Sequence, residues 1–291
     1  MKSTTKKLER KPKPFLKWVG GKSKSLSNFE KLYPKKYKNY FEPFLGGGAV
    51  FFDVIPRPQK AYLNDVNEGL IWAYKNVRDN TEKIISSLKK IQSTYLNKNE
   101  EQRKEFYYET RNKFNRLPID SIDKTTLLIF LNKTCFNGMY RENSLGEFNI
   151  PMGRYKNPGI LDEENLKSVA RALKNVVLTH VSFEKALEKA GRGDFVYFDP
   201  PYYPLNKTSG FTNYSEDDFL ESDQVRLRDT FLELGKRGCY VMLSNSFTPF
   251  IKRLYNGKGI YLHEISVGRP INSIGSKRGK VKEFAVLNYK V

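Results

Sequence analysis

Asp199-Pro200-Pro201-Tyr202 joins one carboxylate, two prolines and an aromatic ring at the end of an apolar run, Phe195-Val196-Tyr197-Phe198. Such a run reads as a strand that delivers a charged group past its carboxyl end, where open parallel α/β sheets bind their ligands. The prolines carry no N–H, so the turn is stiff and the carbonyls of Asp199 and Pro200 are left out of helix pairing. Fixed acceptors beside a stacking surface are what a planar, amino-bearing ring such as a nucleobase needs. An acidic loop after a strand would show the same four residues.

Two further stretches hold complementary chemistry. Phe41-Glu42-Pro43-Phe44-Leu45-Gly46-Gly47-Gly48 runs from an aromatic strand into three glycines, which let the chain turn tightly and a ligand approach the backbone. Asn64-Asp65 closes a second short strand about eighteen residues on, the spacing of a carboxylate that bonds ribose hydroxyls in a Rossmann-like unit. The glycines do not spell G-x-G-x-x-G, so an adenosine without a pyrophosphate fits better than a dinucleotide; a bare glycine turn is the alternative. Upstream, Phe15-Leu16-Lys17-Trp18-Val19-Gly20-Gly21-Lys22-Ser23 has Leu16 where a P-loop needs its first glycine. It is either a helix-start loop that binds an anion, such as a carboxylate, or a plain turn.

The elements between these stretches must position them. Residues 67–131 carry helical periodicity, with Leu70, Ile71, Tyr74 and Val77 on one face, then Ile84, Ile85, Leu88 and Ile91. The apolar helix over 125–131 gives way to Phe136-Asn137-Gly138-Met139-Tyr140-Arg141, and residues 146–156 read as a returning strand, through Pro151, and a basic loop, Arg154-Tyr155-Lys156. Together they outline a hairpin projecting from a sheet domain. Arginine suits guanine O6 and N7, asparagine suits adenine or a phosphate, and apolar side chains can wedge into a base stack. An ordinary surface hairpin has the same outline. A strand over 176–181 precedes Phe183, which either covers an adenine ring or caps the core. Residues 208–214 form a polar loop suited to closing over the site, 218–236 a helix, and 239–245 a strand ending in polar groups at the same edge. The last alternating segments, 261–267 and 283–289, are expected to pair antiparallel around a basic, glycine-punctuated loop with Arg269, Lys277 and Arg278, suited to a phosphate backbone.

The 291 residues suffice for one large domain or a domain with an insertion. Fifty-one Lys and Arg against 32 Asp and Glu leave a formal charge of +19, which favours a polyanionic partner; lysine-rich composition by itself gives the same number. Two cysteines far apart and two histidines indicate neither a disulfide framework nor a metal site. Residues 1–13 are polar and lysine-rich, unlike a signal peptide or a membrane span, so a flexible basic arm and a cytoplasmic protein are expected.

Taken in order, these motifs resemble the DNA adenine N6 methyltransferases of the Dam and DpnII type, the D12 class with alpha-group motif order. Residues 15–22 match K-W-x-G-G-K, 41–48 match F-E-P-F-x-G-G-G, Asn64-Asp65 the ribose acid and 199–202 D-P-P-Y; the hairpin matches through 136–141 and 146–156. D-P-P-Y alone also admits cytosine N4, RNA or protein-glutamine methylation, and a DNA-binding module that has lost catalysis would keep the fold; the full ordered set argues against these. The resemblance implies an α/β fold: a Rossmann-like mixed seven-stranded sheet flanked by helices, formed by residues 14–75 and 174–291, with an inserted helical and hairpin DNA-recognition subdomain over 76–173. It implies S-adenosylmethionine as methyl donor and no metal, with Trp18 and Lys22 near the methionine part, Gly46, Gly47 and Gly48 beneath it, Asp65 on its ribose and Phe183 by its adenine. It implies double-stranded DNA as partner, a GATC target read by Lys17, Asn137, Met139, Arg141 and Pro151, and Phe136, Tyr155 and Lys156 close by. Phosphates then fall to basic loops containing Arg154, Arg269, Lys277 and Arg278. Asp199, Pro200, Pro201 and Tyr202 become the catalytic turn. The resemblance implies either a restriction-modification setting, in which a restriction endonuclease shares the target without touching the protein, or a solitary methylase.

Overall fold

The computed structural model describes residues 10–54, 57–205, 219–268 and 280–291. The expected loops over 208–214 and around Arg269, Lys277 and Arg278 lie outside the described residues, as do residues 1–9 of the basic arm. The chain divides into two compact units. One comprises residues 22–45, 53–66 and 179–291, the other residues 1–21, 46–52 and 67–178.

A mixed seven-stranded sheet draws most of its strands from the first unit. Its strands are β1 (Tyr40–Glu42), β2 (Ala61–Asn64), β3 (Val176–Thr179), β4 (Phe195–Phe198), β5 (Tyr240–Ser246), β6 (Tyr261–Gly268) and β7 (Lys280–Leu287), in the order β3-β2-β1-β4-β5-β7-β6. β1 runs parallel to β2 and β4, and β4 parallel to β5, while β7 enters antiparallel between β5 and β6. The parallel strands therefore share one carboxyl edge, where Asp65, Asp199 and the end of β5 emerge. β4 is wholly buried, as its unbroken apolar run requires of a central parallel strand covered on both faces. Phe41, Val196, Phe198, Leu227, Phe231, Val241 and Leu243 belong to one apolar cluster of this unit, and each such side chain fully buried contributes about 1.5–3 kcal/mol.

The sheet unit also holds the short helices α1 (Leu26–Phe29), α8 (Phe183–Ala186) and α10 (Pro249–Leu254), and the long α9 (Glu221–Lys236). Helix α2 (Ala49–Asp53) follows the glycine turn. The second unit is helical: α3 (Glu68–Asp79), α4 (Thr81–Leu96), α5 (Glu100–Arg116), α6 (Ile122–Thr134) and α7 (Glu163–Leu173). Side-chain oxygens of Asn67, Asn99, Ser121 and Asp162 cap α3, α5, α6 and α7 by accepting from backbone N–H groups in the first turn. Helix α6 is buried almost all round, from Thr125 to Asn132, because it contacts α3, α4 and α5. Asn76 of α3 fixes its start, donating to the Asp120 carbonyl at 2.9 Å and to Thr125 Oγ1 at 3.0 Å. Residues Arg10 and Lys13 are tied to the head of α7, through an ion pair of Arg10 with Asp162 at 2.8 Å and the Lys13 N–H donating to Asn165 Oδ1 at 2.9 Å.

Among the described residues no helix is long and apolar enough to cross a membrane. The expected returning strand over 146–156 is absent as a strand. Among the described residues the two limbs pair at isolated bridges, Cys135 with Met152 and Glu142 with Phe148, carried by bonds such as the Phe136 N–H to the Pro151 carbonyl at 2.9 Å, while side chains of α5 hold the backbone of the return limb.

Candidate active site and recognition segment

In the sheet unit, β4 ends at Asp199 because Pro200 cannot continue the ladder. Oδ1 of Asp199 accepts from Ser244 Oγ at 2.9 Å and pairs with Lys22 Nζ at 2.8 Å. No described residue reaches Oδ2 or the Pro200 carbonyl with a hydrogen-bond donor. The Lys22 ammonium also stands 4.5 Å from the centroid of the Tyr202 ring, a cation–π contact inside a shielded site. The far end of that ring is fixed, since Tyr202 donates from its hydroxyl to Glu283 Oε2 at 2.9 Å. Burial, and then the charges of Asp199 and Glu283, push the Tyr202 hydroxyl well above its usual range, so it stays a donor. Glu283 is raised above an ordinary glutamate chiefly by burial, with Lys22 and the Tyr202 hydrogen bond pulling the other way.

The second half of the turn is held by a buried amide relay. Gln224 of α9 donates to the Pro201 carbonyl at 3.0 Å, Asn245 of β5 donates to Gln224 Oε1 at 2.9 Å, and the Tyr203 N–H donates to Asn245 Oδ1 at 3.2 Å. Gln224 and Asn245 are both fully buried, so these polar groups are paired as burial demands. The turn thus presents Asp199 Oδ2, the Pro200 carbonyl and an aromatic ring as a rigid group.

Asp65 leaves the end of β2, two strands from β4, placed by Asn64. The Asn64 amide donates to the carbonyls of Pro43 and Val181 at 3.1 and 3.0 Å and accepts from Thr179 Oγ1 at 2.9 Å and the Val181 N–H at 3.0 Å. One buried amide therefore ties the ends of β1, β2 and β3 together. Phe183 is 7% exposed and packs in the unit's apolar cluster with Phe44 and Phe219 at 5.5 and 6.2 Å, so most of its ring serves the core.

In the helical unit, the glycine turn closes on Trp18. A Cβ on Gly46 would stand 3.0 Å from Trp18 Cδ1, and Gly46 and Gly48 adopt φ of +47° and +68°, which favours glycine. Tyr74 of α3 donates to the Gly46 carbonyl at 3.1 Å and anchors the turn. Trp18 also stacks on Tyr140 with centroids 4.9 Å apart.

The segment over 136–156 sits on α5 by a ladder at four-residue spacing, which lines one helix face. Arg103 donates to the Lys156 carbonyl at 2.9 Å, Tyr107 to the Ile150 carbonyl at 2.9 Å, Arg111 to the Asn149 carbonyl at 3.4 Å, and Asn115 to the Phe148 carbonyl at 3.2 Å. Phe148 answers by donating its N–H to Asn115 Oδ1 at 3.0 Å. The segment so held exposes Phe136, Met139, Arg141, Pro151, Arg154 and Lys156, with Asn137 and Tyr155 half-buried. Lys17 is exposed in the same unit, its ammonium 5.5 Å from the Tyr155 ring centroid. Arg141 is aimed by its Nε, which donates to Asn149 Oδ1 at 3.0 Å.

A family model for the D12 class N6 adenine-specific DNA methyltransferases matches residues 18–267. The chain belongs to this family. It is 46% identical to the type II methyltransferase M.MjaIII of Methanocaldococcus jannaschii over 95% of this chain and 99% of that one. A DNA adenine methylase of Haemophilus influenzae is 32% identical over 97% of each chain, and a type II methyltransferase of Lactococcus lactis subsp. cremoris is 43% identical over 95% of each. The mixed seven-stranded sheet flanked by helices is the fold expected of an S-adenosylmethionine-dependent methyltransferase.

Several polar partners of the D12 methyltransferase's D-P-P-Y turn escape motif reading. Ser244 and Asn245 carry a faint signal, belonging with Ser246 to the buried polar end of an otherwise apolar strand, and Glu283 stands at the head of the apolar end of β7. Gln224 lies on a charged helix and gives none. The α5 ladder is visible only as Arg, Tyr, Arg and Asn recurring every fourth residue in a polar helix.

Proposed function

We propose that this D12 methyltransferase transfers the methyl group of S-adenosylmethionine to N6 of an adenine flipped out of a 5'-GATC-3' site in double-stranded DNA. The observation that carries the reading is the fixed Asp199 carboxylate: Ser244 and Lys22 hold Oδ1, while Oδ2 and the Pro200 carbonyl face no donor among the described residues. Two acceptors suit the two N6 hydrogens. The donor supplies an electrophilic methyl group on a sulfonium. Asp199 and Pro200, by accepting both hydrogens, favour a pyramidal nitrogen with its lone pair turned outward. Tyr202 offers its ring to the flipped base, which offsets part of an unstacking cost of a few kcal/mol. No strong base is required, because the proton leaves readily once the nitrogen is methylated; position accounts for the rate.

The residues proposed for the donor fit an adenosine without pyrophosphate. Trp18 covers Gly46 and Gly47 closely enough that a side chain at Gly46 would press on the indole, and Asp65 stands at a strand end as a ribose carboxylate does. Lys22 is proposed for the methionine carboxylate and Phe183 for the adenine. We assign the reading of GATC to Lys17, Asn137, Met139, Arg141 and Pro151, and phosphate contact to Arg154, Lys156, Arg269, Lys277 and Arg278. Residues 76–173 serve as the recognition subdomain and residues 14–75 and 174–291 as the catalytic domain. The same reading places the protein with the genome in the cytoplasm.

The test is transfer of label from methyl-labelled S-adenosylmethionine to duplexes that do or do not contain GATC. The parent protein is expected to label only the former. Asp199→Ala is expected to abolish transfer while specific duplex binding survives; comparable rates for variant and parent would sink the catalytic assignment, and equal labelling of both duplexes the target.

A further inference from the structure

We infer that Asn132 is a positioning residue for target discrimination, fastening the Lys17–Trp18 segment to the recognition turn. This rests on the proposed role of Lys17 and residues 137–141 in reading DNA. Asn132 lies on the last turn of α6 and is 1% exposed, yet it bonds nothing within its own helix through its side chain. Its Oδ1 accepts the Lys17 N–H at 2.8 Å, and its Nδ2 donates to the Lys17 carbonyl at 2.9 Å and to the Gly138 carbonyl at 3.1 Å. The amide therefore pairs with both polar groups of one residue, as a neighbouring strand would, and uses its remaining hydrogen on the other segment. A buried amide with both hydrogens spent has one geometry to choose from, so it sets register as well as distance.

The surroundings tighten the same joint. Asn137 and Gly138 sit at φ of +57° and +64°, turning the chain sharply over Lys17. A Cβ on Gly138 would stand 2.2 Å from Lys17 Cδ, so the two segments are already in contact. Trp18 stacks on Tyr140, one residue beyond Lys17 on the first segment and two beyond Gly138 on the second. Two fasteners, one polar and one aromatic, thus join residues 17–18 to residues 138–140, and the side chains on either side of them present to DNA as a single surface.

The test uses the full chain and the adenine site that the parent enzyme prefers, found by mapping methylated adenines in plasmid DNA. kcat/KM is measured on that duplex and on duplexes altered at one flanking base, with melting curves to confirm folding. For Asn132→Ala and Asn132→Asp, which keeps the acceptor and loses both donors, kcat/KM is expected to fall about tenfold further on the preferred duplex than on the altered ones. Gly138→Ala strains the same joint with Asn132 intact and is expected to behave alike; it decides the matter should the Asn132 variants fail to fold. Equal losses on all duplexes would make the residue merely structural and overturn the inference, and so would an unchanged ratio. A parent preference for a sequence other than GATC would refute that reading of the target and leave this comparison intact.

Discussion

Replacing Ser244 with alanine tests how the carboxylate proposed for catalysis, Asp199, is held. Ser244 is fully buried on β5, and its Oγ donates to Asp199 Oδ1 at 2.9 Å. Having a single hydrogen committed to the carboxylate, that oxygen accepts from the Tyr197 hydroxyl, also at 2.9 Å. Ser244→Ala therefore removes a charge-assisted bond from Asp199 and leaves a fully buried tyrosine hydroxyl with no acceptor. The stranded hydroxyl costs about 1–3 kcal/mol. The Asp199 side chain is 18% exposed and keeps Lys22, so water replaces part of what it loses. A net destabilisation of about 2 kcal/mol follows, read by urea unfolding. Adding Tyr197→Phe removes the stranded group, so Ser244→Ala should cost about 1 kcal/mol less in the Tyr197→Phe background than in the parent. Methylation under saturating donor and DNA should slow about tenfold to a hundredfold, equivalent to about 1.4–2.8 kcal/mol of lost alignment. An identical stability cost in both backgrounds would refute the stranding argument. An unchanged kcat would refute the idea that Ser244 aims Asp199.

Other outcomes follow from the same geometry. Glu283 titrates above its unfolded value because burial penalises its charge, so its favourable contribution to folding is present at low pH and is lost as pH rises through the folded value. Glu283→Gln can still accept from Tyr202, and its stability relative to the parent should rise with pH across that window; a pH-independent difference in urea unfolding would contradict this. Burial pushes the Cys135 and Cys239 thiols up to about 11, so neither should react with iodoacetamide at pH 8 until the protein is unfolded, and rapid alkylation of the native protein would show the cores are open. On the proposed GATC target, Arg141→Ala should relax site preference by about 1–3 kcal/mol while residual duplex binding persists, as judged by competition with altered sites. Tyr107→Phe deletes one rung of the α5 ladder, and residues 146–156 should then exchange their amide hydrogens faster than in the parent; unchanged exchange would mean the rung does not order the limb.

The sequence by itself determined those features whose cause is local. An apolar run stopped by Asp199-Pro200-Pro201 reads as a buried strand with a charged end, and three glycines followed at fixed spacing by Asn64-Asp65 mark a turn and a strand end. The strands over 195–198 and 240–246, the apolar helix α6 and the final antiparallel pair were likewise legible, since burial on one or both faces writes a period into the chain. Tertiary structure alone decided what surrounds the carboxylate. Lys22, Ser244 and Glu283 come from three distant segments, and hydrogen bonds between single polar side chains leave no periodic trace. It also decided that residues 146–156 form no continuous strand: the pattern there suits a strand, but this limb pairs with the other only at isolated bridges and is held along α5 by side-chain donors at four-residue spacing. Asn132 makes the same point most sharply. In sequence it is one asparagine ending an apolar helix, and only the folding of Lys17 and Gly138 against it turns that amide into a joint.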